Sequence, residues 1–155
     1  MWGETIAFTA FILRGFGIPT SDFFRGVVFH WEIQAHNLTP NSILHISIFV
    51  HLCETYLGIV PHFGLFQHLF HLKPQPNANR IDVVGGAGLK LRQGLGAKYI
   101  HYKLSSKVID WKDYWFYIED QAPSLPIRTP GPLVLRPSWN SKGQNLVQIN
   151  DFWAR

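Results

Sequence analysis

The sequence predicts an α+β fold in which an N-terminal half of about three helices packs on a small antiparallel sheet. Helix start signals and helical apolar spacing dominate residues 20–72, strict apolar–polar alternation appears within residues 81–118, and five of the ten prolines follow Ala122. We therefore expect one domain over residues 5–120, followed by a Pro-rich linker or tail at 121–155 that is extended or disordered.

The first predicted helix covers residues 22–33. Ser21 or Thr20 can cap its free N–H groups, and Asp22 is favourable at the positive end of the helix dipole.

The second predicted helix begins after Thr39, which can cap it, and has Pro40 in its first turn, where the missing N–H does no harm. Gly58 is expected to end it as a left-handed cap. Helical spacing places His51 on a polar stripe and His45 off it, so we predict an exposed His51 and a largely buried His45. The stripe consists of Ser47, His51, Glu54 and Thr55.

The third predicted helix is opened by Pro61 and runs to about residue 72. Apolar residues occupy all but one narrow face of it, so we expect it to be covered on most sides.

Three strands are predicted after the helices. Residues 89–92 and 100–104 alternate strictly and are separated by a Gly-rich turn at 94–96, which favours an antiparallel hairpin. Residues 114–118 form an aromatic third strand that we expect to be wedged between layers.

Composition excludes several classes of protein. Hydrophobic residues make up 46% of the chain, enough for a core, so general disorder is not expected. The lone Cys53 excludes an intramolecular disulfide and a Cys-rich zinc site. His45, His51 and Glu54 interrupt the longest apolar stretch, and the N-terminus lacks the pattern of a signal peptide, so we predict no membrane segment and an intracellular location, cytoplasmic or nuclear.

No catalytic or metal-binding pattern is recognisable. The Gly-rich segment 85–88 fails the dinucleotide fingerprint, because Leu91 occupies the position of the third glycine, and it is better read as a bend before a strand. His68 and His71 share a helix face but lack the further ligands of a zinc site. We therefore predict no enzymatic activity, no metal or other cofactor and no small-molecule substrate.

The positive charge is concentrated in one segment. Residues 73–107 contain seven Lys and Arg residues against the single Asp82, whereas acidic residues outnumber basic ones before residue 73. Such a segment is typical of a site for an anionic partner, or of an ordinary solvated face. The candidate nucleic-acid contacts are Lys90, Arg92, Lys98, Lys103 and Lys107, with Tyr99 or Tyr102 available for base stacking.

Eight segments, in order between about residues 5 and 142, resemble a known family. They are residues 8–24, 37–46, 49–59, 61–66, 72–76, 84–88, 92–94 and 115–118. Together they are similar to the gypsy-type transposon domain of plant, especially grass, retroelement-derived proteins. The resemblance implies the N-terminal, gag-like portion of a long-terminal-repeat element, a region with no established catalytic residues.

The function predicted from the resemblance and the composition is that of a non-enzymatic, gag-like structural or interaction domain. Its expected partners are a second copy of itself or another protein encoded by the element, because low charge and abundant aromatic residues favour protein contact. The alternative is a module that binds RNA or DNA weakly, without sequence preference, through the basic segment 73–107.

Overall fold

A computed structural model describes residues 3–17, 20–74, 84–96, 98–100 and 109–120, and it has the predicted α+β architecture. The helices and strands in these ranges are β1 (Gly3–Phe8), α1 (Thr9–Ile12), α2 (Asp22–His30), α3 (Pro40–His51), α4 (Phe63–Leu69), β2 (Phe70–Pro74), β3 (Ala87–Leu91) and β4 (Trp115–Asp120). The strands form two antiparallel pairs, β1 with β4 and β2 with β3, rather than one small sheet. The predicted tail at 121–155 lies outside the described residues.

Helix α2 starts as predicted and ends earlier. The Ser21 side chain accepts a hydrogen bond from the Phe24 N–H at 3.2 Å, which confirms it as the cap. The helix ends at His30 instead of residue 33 because Glu32 adopts a left-handed conformation with φ of 54°, which is incompatible with a continuing helix.

Both ends of the second predicted helix are confirmed. Thr39 accepts a hydrogen bond from the Ser42 N–H, and Pro40 is in the first turn of α3. After His51 the chain continues as a wider π-helical segment, Leu52–Leu57, which Gly58 ends in the left-handed conformation. The Ile59 N–H closes this end by donating to the Cys53 carbonyl at 2.9 Å.

The third predicted helix is too long at its C-terminal end. Helix α4 stops at Leu69, and the residues predicted to complete it begin strand β2. In the strand, Phe70 and Leu72 are fully buried while His71 and Lys73 face outward. A run of alternating apolar residues this short fits the periodicity of a helix as well as that of a strand. It forms a strand here because a partner strand supplies its hydrogen bonds.

The described partner of β3 is not the one predicted, and the second strand of the predicted hairpin, residues 100–104, lies outside the described residues except for Ile100. Strand β3 pairs with β2, so that Leu89 lies opposite Leu72. The other edge of β3 is closed by the Leu89 N–H, which donates to the Ser42 Oγ at 2.8 Å, and by a bridge between Ala87 and Leu38. Both edges of β3 are therefore occupied by residues before position 75, and residues 101–104 lie outside the described ranges.

The aromatic strand is confirmed as β4, but its environment differs from the prediction. Its partner is β1 at the N-terminus, a strand that the sequence did not predict. Trp115, Phe116 and Tyr117 are 47%, 43% and 61% exposed, so this strand is not wedged between layers. The ribbon of β1 and β4 is anchored at one end, where Phe8 packs on Phe11 and Trp111 with ring centroids 5.4 and 4.9 Å away.

The core lies between the helices and the inner face of the β2–β3 hairpin. Its centre is a cluster of aromatic rings in which the Phe66 ring centroid lies 5.0 Å from that of Phe49 and 4.9 Å from that of Phe70. Cys53 is fully buried, and burial, with a smaller effect of Glu54, raises the pKa of its thiol to about 11.

The two histidines of α3 differ in exposure in the predicted direction. His51 is exposed, whereas His45 is half-buried rather than largely buried, with its ring 5.1 Å from that of Phe70. Burial and the charge of Lys90 lower the pKa of His45 to about 4.

The low pKa of His45 predicts a loss of stability in mild acid. The unfolded chain takes up a proton at His45 near pH 6.5, whereas the folded chain resists it down to about pH 4, so this contribution to stability is complete above about pH 6.5 and declines as the pH falls towards 4. The melting temperature should fall between neutral pH and about pH 5, and this fall should be smaller for His45→Phe than for the parent. The same change at an exposed site, His51→Phe, should keep the parent's difference; if His45→Phe also keeps it, His45 is not responsible.

Replacing Gly15 by alanine is predicted to destabilise the chain. It has a φ of +93°, and a Cβ there would lie 2.6 Å from the Ser47 Oγ. Gly15→Ala should therefore lower the free energy of unfolding by about 1–3 kcal/mol in denaturant titrations. Gly26, within α2, has nothing near its Cβ position, so the control Gly26→Ala should instead stabilise the chain by about 0.5–1 kcal/mol. Equal effects of the two substitutions would contradict this account.

Candidate functional sites

A cleft of about 330 Å³ lies between residues 15–17 and 20–24 on one side and α3 with the π-helical segment on the other, and Ser47, His51 and Glu54 of the polar stripe are among its lining residues. These three residue types could form a catalytic relay, but their hydrogen bonds point elsewhere. The Ser47 hydroxyl donates to the Ile43 carbonyl at 3.0 Å, and the His51 Nδ1 is 3.2 Å from the Thr55 Oγ1. The cleft therefore has no nucleophile joined to a base.

Metal-binding and membrane-spanning features are likewise not found in the described ranges. No three His, Cys, Asp or Glu side chains among these residues are grouped so that they could hold a metal ion. None of the described helices is both long and apolar enough to cross a bilayer.

The outer face of the β2–β3 hairpin is basic. The antiparallel register puts His71 directly opposite Lys90, and Lys73 follows on the same face of β2. Arg92 continues this face just beyond β3, so the basic face consists of His71, Lys73, Lys90 and Arg92.

Backbone contacts hold Arg92 in place at the end of the hairpin. Its N–H donates to the Leu69 carbonyl and its Nε to the Gln67 carbonyl, both at 2.8 Å. Burial lowers the pKa of the Arg92 guanidinium. The contacts use one edge of the guanidinium and fix its orientation relative to α4.

The cations of the basic face influence one another. Burial lowers the pKa of His71, and the charges of Arg92, Lys73 and Lys90 lower it further, in that order. Lys90 also lowers the pKa of His45 on the adjacent helix. Lys73, Lys90 and Arg92 place three positive charges on one face, and their mutual repulsion favours a bound anion.

The structure brings together only part of the predicted set of nucleic-acid contacts. Lys90 and Arg92 are on the basic face, whereas Lys98 is exposed in the turns after β3. Lys103 and Lys107 lie outside the described residues.

Two members of the basic face, His71 and Lys73, were missed because residues 70–74 were assigned largely to a helix. The alternation of buried and outward residues in β2 is the signal that could have found them. Tyr99 does not serve as a stacking platform, since its ring packs 5.4 Å from that of Phe70, its hydroxyl is buried, and burial raises its pKa. The other stacking candidate, Tyr102, is outside the described ranges.

The ribbon of β1 and β4 provides a second surface. Ile6 lies opposite Tyr117, and Ala7 lies opposite Phe116. The Trp115 and Tyr117 rings contact each other edge to face at 5.3 Å. Together with Ile6, the exposed side chains of Trp115 and Tyr117 form what we name the aromatic surface, and Phe116 lies on the opposite face of the strand.

Comparison with known families identifies the origin of the helical half. Residues 6–74, a little under half of the chain, match the model of the family described as Putative gypsy type transposon. This segment is similar to that family, and the match supports a retroelement-derived protein. The family description names no enzymatic activity. Searches of curated proteins and of solved structures find no match.

The family match confirms the resemblance stated above over a shorter range than the eight segments. It ends within β2 and leaves out β3 and β4, for which the resemblance stays a prediction. The proposed domain limits of 5–120 are also still a prediction.

The basic face predicts a coupling between Lys90 and His71. Lys90→Gln should raise the pKa of His71, because it removes one of the charges that lower it. The titration of the His71 ring by NMR measures this shift. Lys98→Gln, which removes an equal charge outside the face, should leave the midpoint of His71 unchanged. An unchanged midpoint in Lys90→Gln would mean that the two side chains do not share a face.

Proposed function

We propose that this chain is a non-enzymatic, gag-like interaction domain of a plant retroelement protein, and that it assembles with a second copy of itself through strand β4. The observation that carries the proposal is an exposed aromatic strand whose outer edge pairs with nothing in the described part of the chain.

Exposure of the aromatic surface supports a protein partner. Trp115 and Tyr117 share one face of β4 with Ile6 of β1, and each of the three is more than two-fifths exposed. Contiguous exposed apolar surface of this kind is typical of interaction sites, and Trp and Tyr are enriched in the residues that contribute most to binding. Only 15% of the chain is charged, below the roughly 25% of an average protein, which also favours protein contact.

Within the described residues, the hydrogen bonds of the ribbon leave one edge of β4 open. The Thr9 N–H donates to the Tyr114 carbonyl at 3.1 Å. This bond shows which residues of β4 direct their backbone groups towards β1. In an antiparallel pair, backbone groups alternate between the partner and the opposite side. The N–H and C=O groups of Phe116 and Ile118 therefore face β1, and those of Trp115, Tyr117 and Glu119 face outward.

A second copy is the occupant that suits this edge. Two copies of β4 can pair antiparallel about a twofold axis at Tyr117, which places Trp115 of each strand opposite Glu119 of the other. The indole N–H can then donate to the carboxylate. The two Glu119 residues lie about 13 Å apart along the strands, at roughly 3.3 Å per residue, so their charges repel little. A parallel arrangement would instead place them side by side.

Strand pairing would also stabilise the ribbon. A two-stranded ribbon is marginal in water, whereas three or more strands with an apolar face are stable. Pairing of two copies of β4 converts the two ribbons into one four-stranded antiparallel sheet with a continuous aromatic surface.

The absence of enzymatic activity is part of the proposal. It is supported by the hydrogen bonding of Ser47 and His51, which joins neither to a catalytic partner, and by the family description.

A proline at Tyr117 tests the assembly. Because the Tyr117 N–H faces outward, Tyr117→Pro should block pairing between copies and keep every hydrogen bond to β1. Light scattering after size exclusion should give a dimer for the parent and a monomer for Tyr117→Pro, with the same circular dichroism spectrum.

Two further variants separate the backbone from the side chain. Tyr117→Val loses the ring and keeps the N–H, so it should still dimerise, more weakly than the parent. Phe116→Pro removes an N–H that faces β1, so it should damage the ribbon itself. A parent that is monomeric at every concentration, or a Tyr117→Pro variant with the parent's mass, would refute self-association through β4.

A further inference from the structure

We propose that the basic face of the β2–β3 hairpin binds the phosphate backbone of nucleic acid without reading its bases. Its members are His71, Lys73, Lys90 and Arg92, of which two come from a strand that the sequence did not predict. This site is separate from the aromatic surface and does not depend on self-association.

The geometry of the face suits a row of phosphates. His71 and Lys90 are direct cross-strand neighbours, with Cβ atoms typically about 5 Å apart, and Lys73 follows His71 at about 6.6 Å along the strand. Arg92 lies two residues beyond Lys90 on the opposite strand. Donors at these intervals along one side of a hairpin can contact successive phosphates of a single extended strand.

The two lysines of the face are not neutralised by the described part of the protein, where neither Lys73 nor Lys90 forms an ion pair with a carboxylate. His71 feels the charges of Arg92, Lys73 and Lys90, which oppose its protonation. A phosphate on the face would relieve this repulsion, whereas an ordinary solvated face with interspersed signs would have none to relieve.

The face is rigid enough to bind without folding first. Its opposite side consists of Phe70, Leu72 and Leu89, which are buried in the core. Arg92 is oriented by the Gln67 carbonyl. Little backbone entropy is lost when such a preorganised surface binds.

Sequence preference is not expected at this face. Base reading by single-strand binding proteins depends on stacking and on contacts to base edges. The Tyr99 ring is packed against Phe70, and the members of the basic face that could stack on a base are restricted, since His71 is half-buried and the Arg92 Nε is held by the Gln67 carbonyl. Binding is therefore electrostatic, and its affinity depends on salt.

The experiment measures fluorescence polarisation of a labelled single-stranded oligonucleotide of mixed sequence with the full chain. With three permanent cations in contact and a slope of about −0.7 per phosphate, affinity should fall about 20-fold between about 50 and 200 mM salt. Lys73→Gln/Lys90→Gln should bind more weakly at low salt and lose only about 3-fold over the same range. Light scattering should show the same mass as the parent, because β4 is unchanged.

A matched double variant controls for net charge. Arg25→Gln/Lys112→Gln removes two positive charges elsewhere, one paired with Asp22 and one over the Trp111 ring, and should bind as the parent does. The site is refuted if this control weakens binding as much as the hairpin variant, or if the hairpin variant binds like the parent.

Two other outcomes would also overturn the proposal. A strong preference between oligo-dT and oligo-dA would mean that bases are read. Equal binding of a labelled poly-glutamate peptide would assign the face to acidic proteins rather than to nucleic acid.

Discussion

The buried hydroxyl of Ser42 joins the helical and strand parts of this fold. It lies 2.8 Å from the Thr39 Oγ1, the side chain that caps α3, and it accepts the Leu89 N–H of β3 at 2.8 Å. Ser42 is 1% exposed, so neither group could turn to water instead. A buried N–H left without an acceptor costs about 1–3 kcal/mol, which makes the position of α3 and the register of β3 depend on each other.

The position of β3 in turn determines which residues become surface. Its second edge is closed by Ser42 and by the bridge from Ala87 to Leu38, so β2 is its only strand partner in the described part of the chain. This pairing turns Phe70 and Leu72 into the ring-rich core and leaves His71 and Lys73 beside Lys90. The basic face is therefore a consequence of how the core closes, since each apolar residue that it buries sends its neighbour outward.

The basic face and the aromatic surface differ in their chemistry. The basic face has charge on a rigid hairpin whose inner side belongs to the core, and the aromatic surface has apolar rings on a ribbon anchored at Phe8 and Trp111. Under the two proposals, one surface contacts a second copy of the chain and the other contacts nucleic acid, and their separation would allow both contacts at once. The polar cleft beside α3 belongs to neither surface.

The sequence by itself determined the features that depend on neighbouring residues. The caps Ser21 and Thr39, the left-handed Gly58 and the existence of an aromatic strand near residue 115 were all predictable, because capping and side-chain periodicity act within a few residues. The family resemblance in the helical half was also legible from the sequence, and the match to residues 6–74 agrees with it.

Only the tertiary structure decided which strands pair and where the aromatic residues of β4 face. The chain brings Phe70 to Leu91 and Phe8 to Trp115 across long separations in sequence, and no local pattern encodes such a choice. Strand β2 was mistaken for the end of a helix because five residues satisfy either period until a partner supplies their hydrogen bonds. The sequence alone therefore did not place His71 and Lys73 on the basic face, because their position depends on the pairing of β2 with β3.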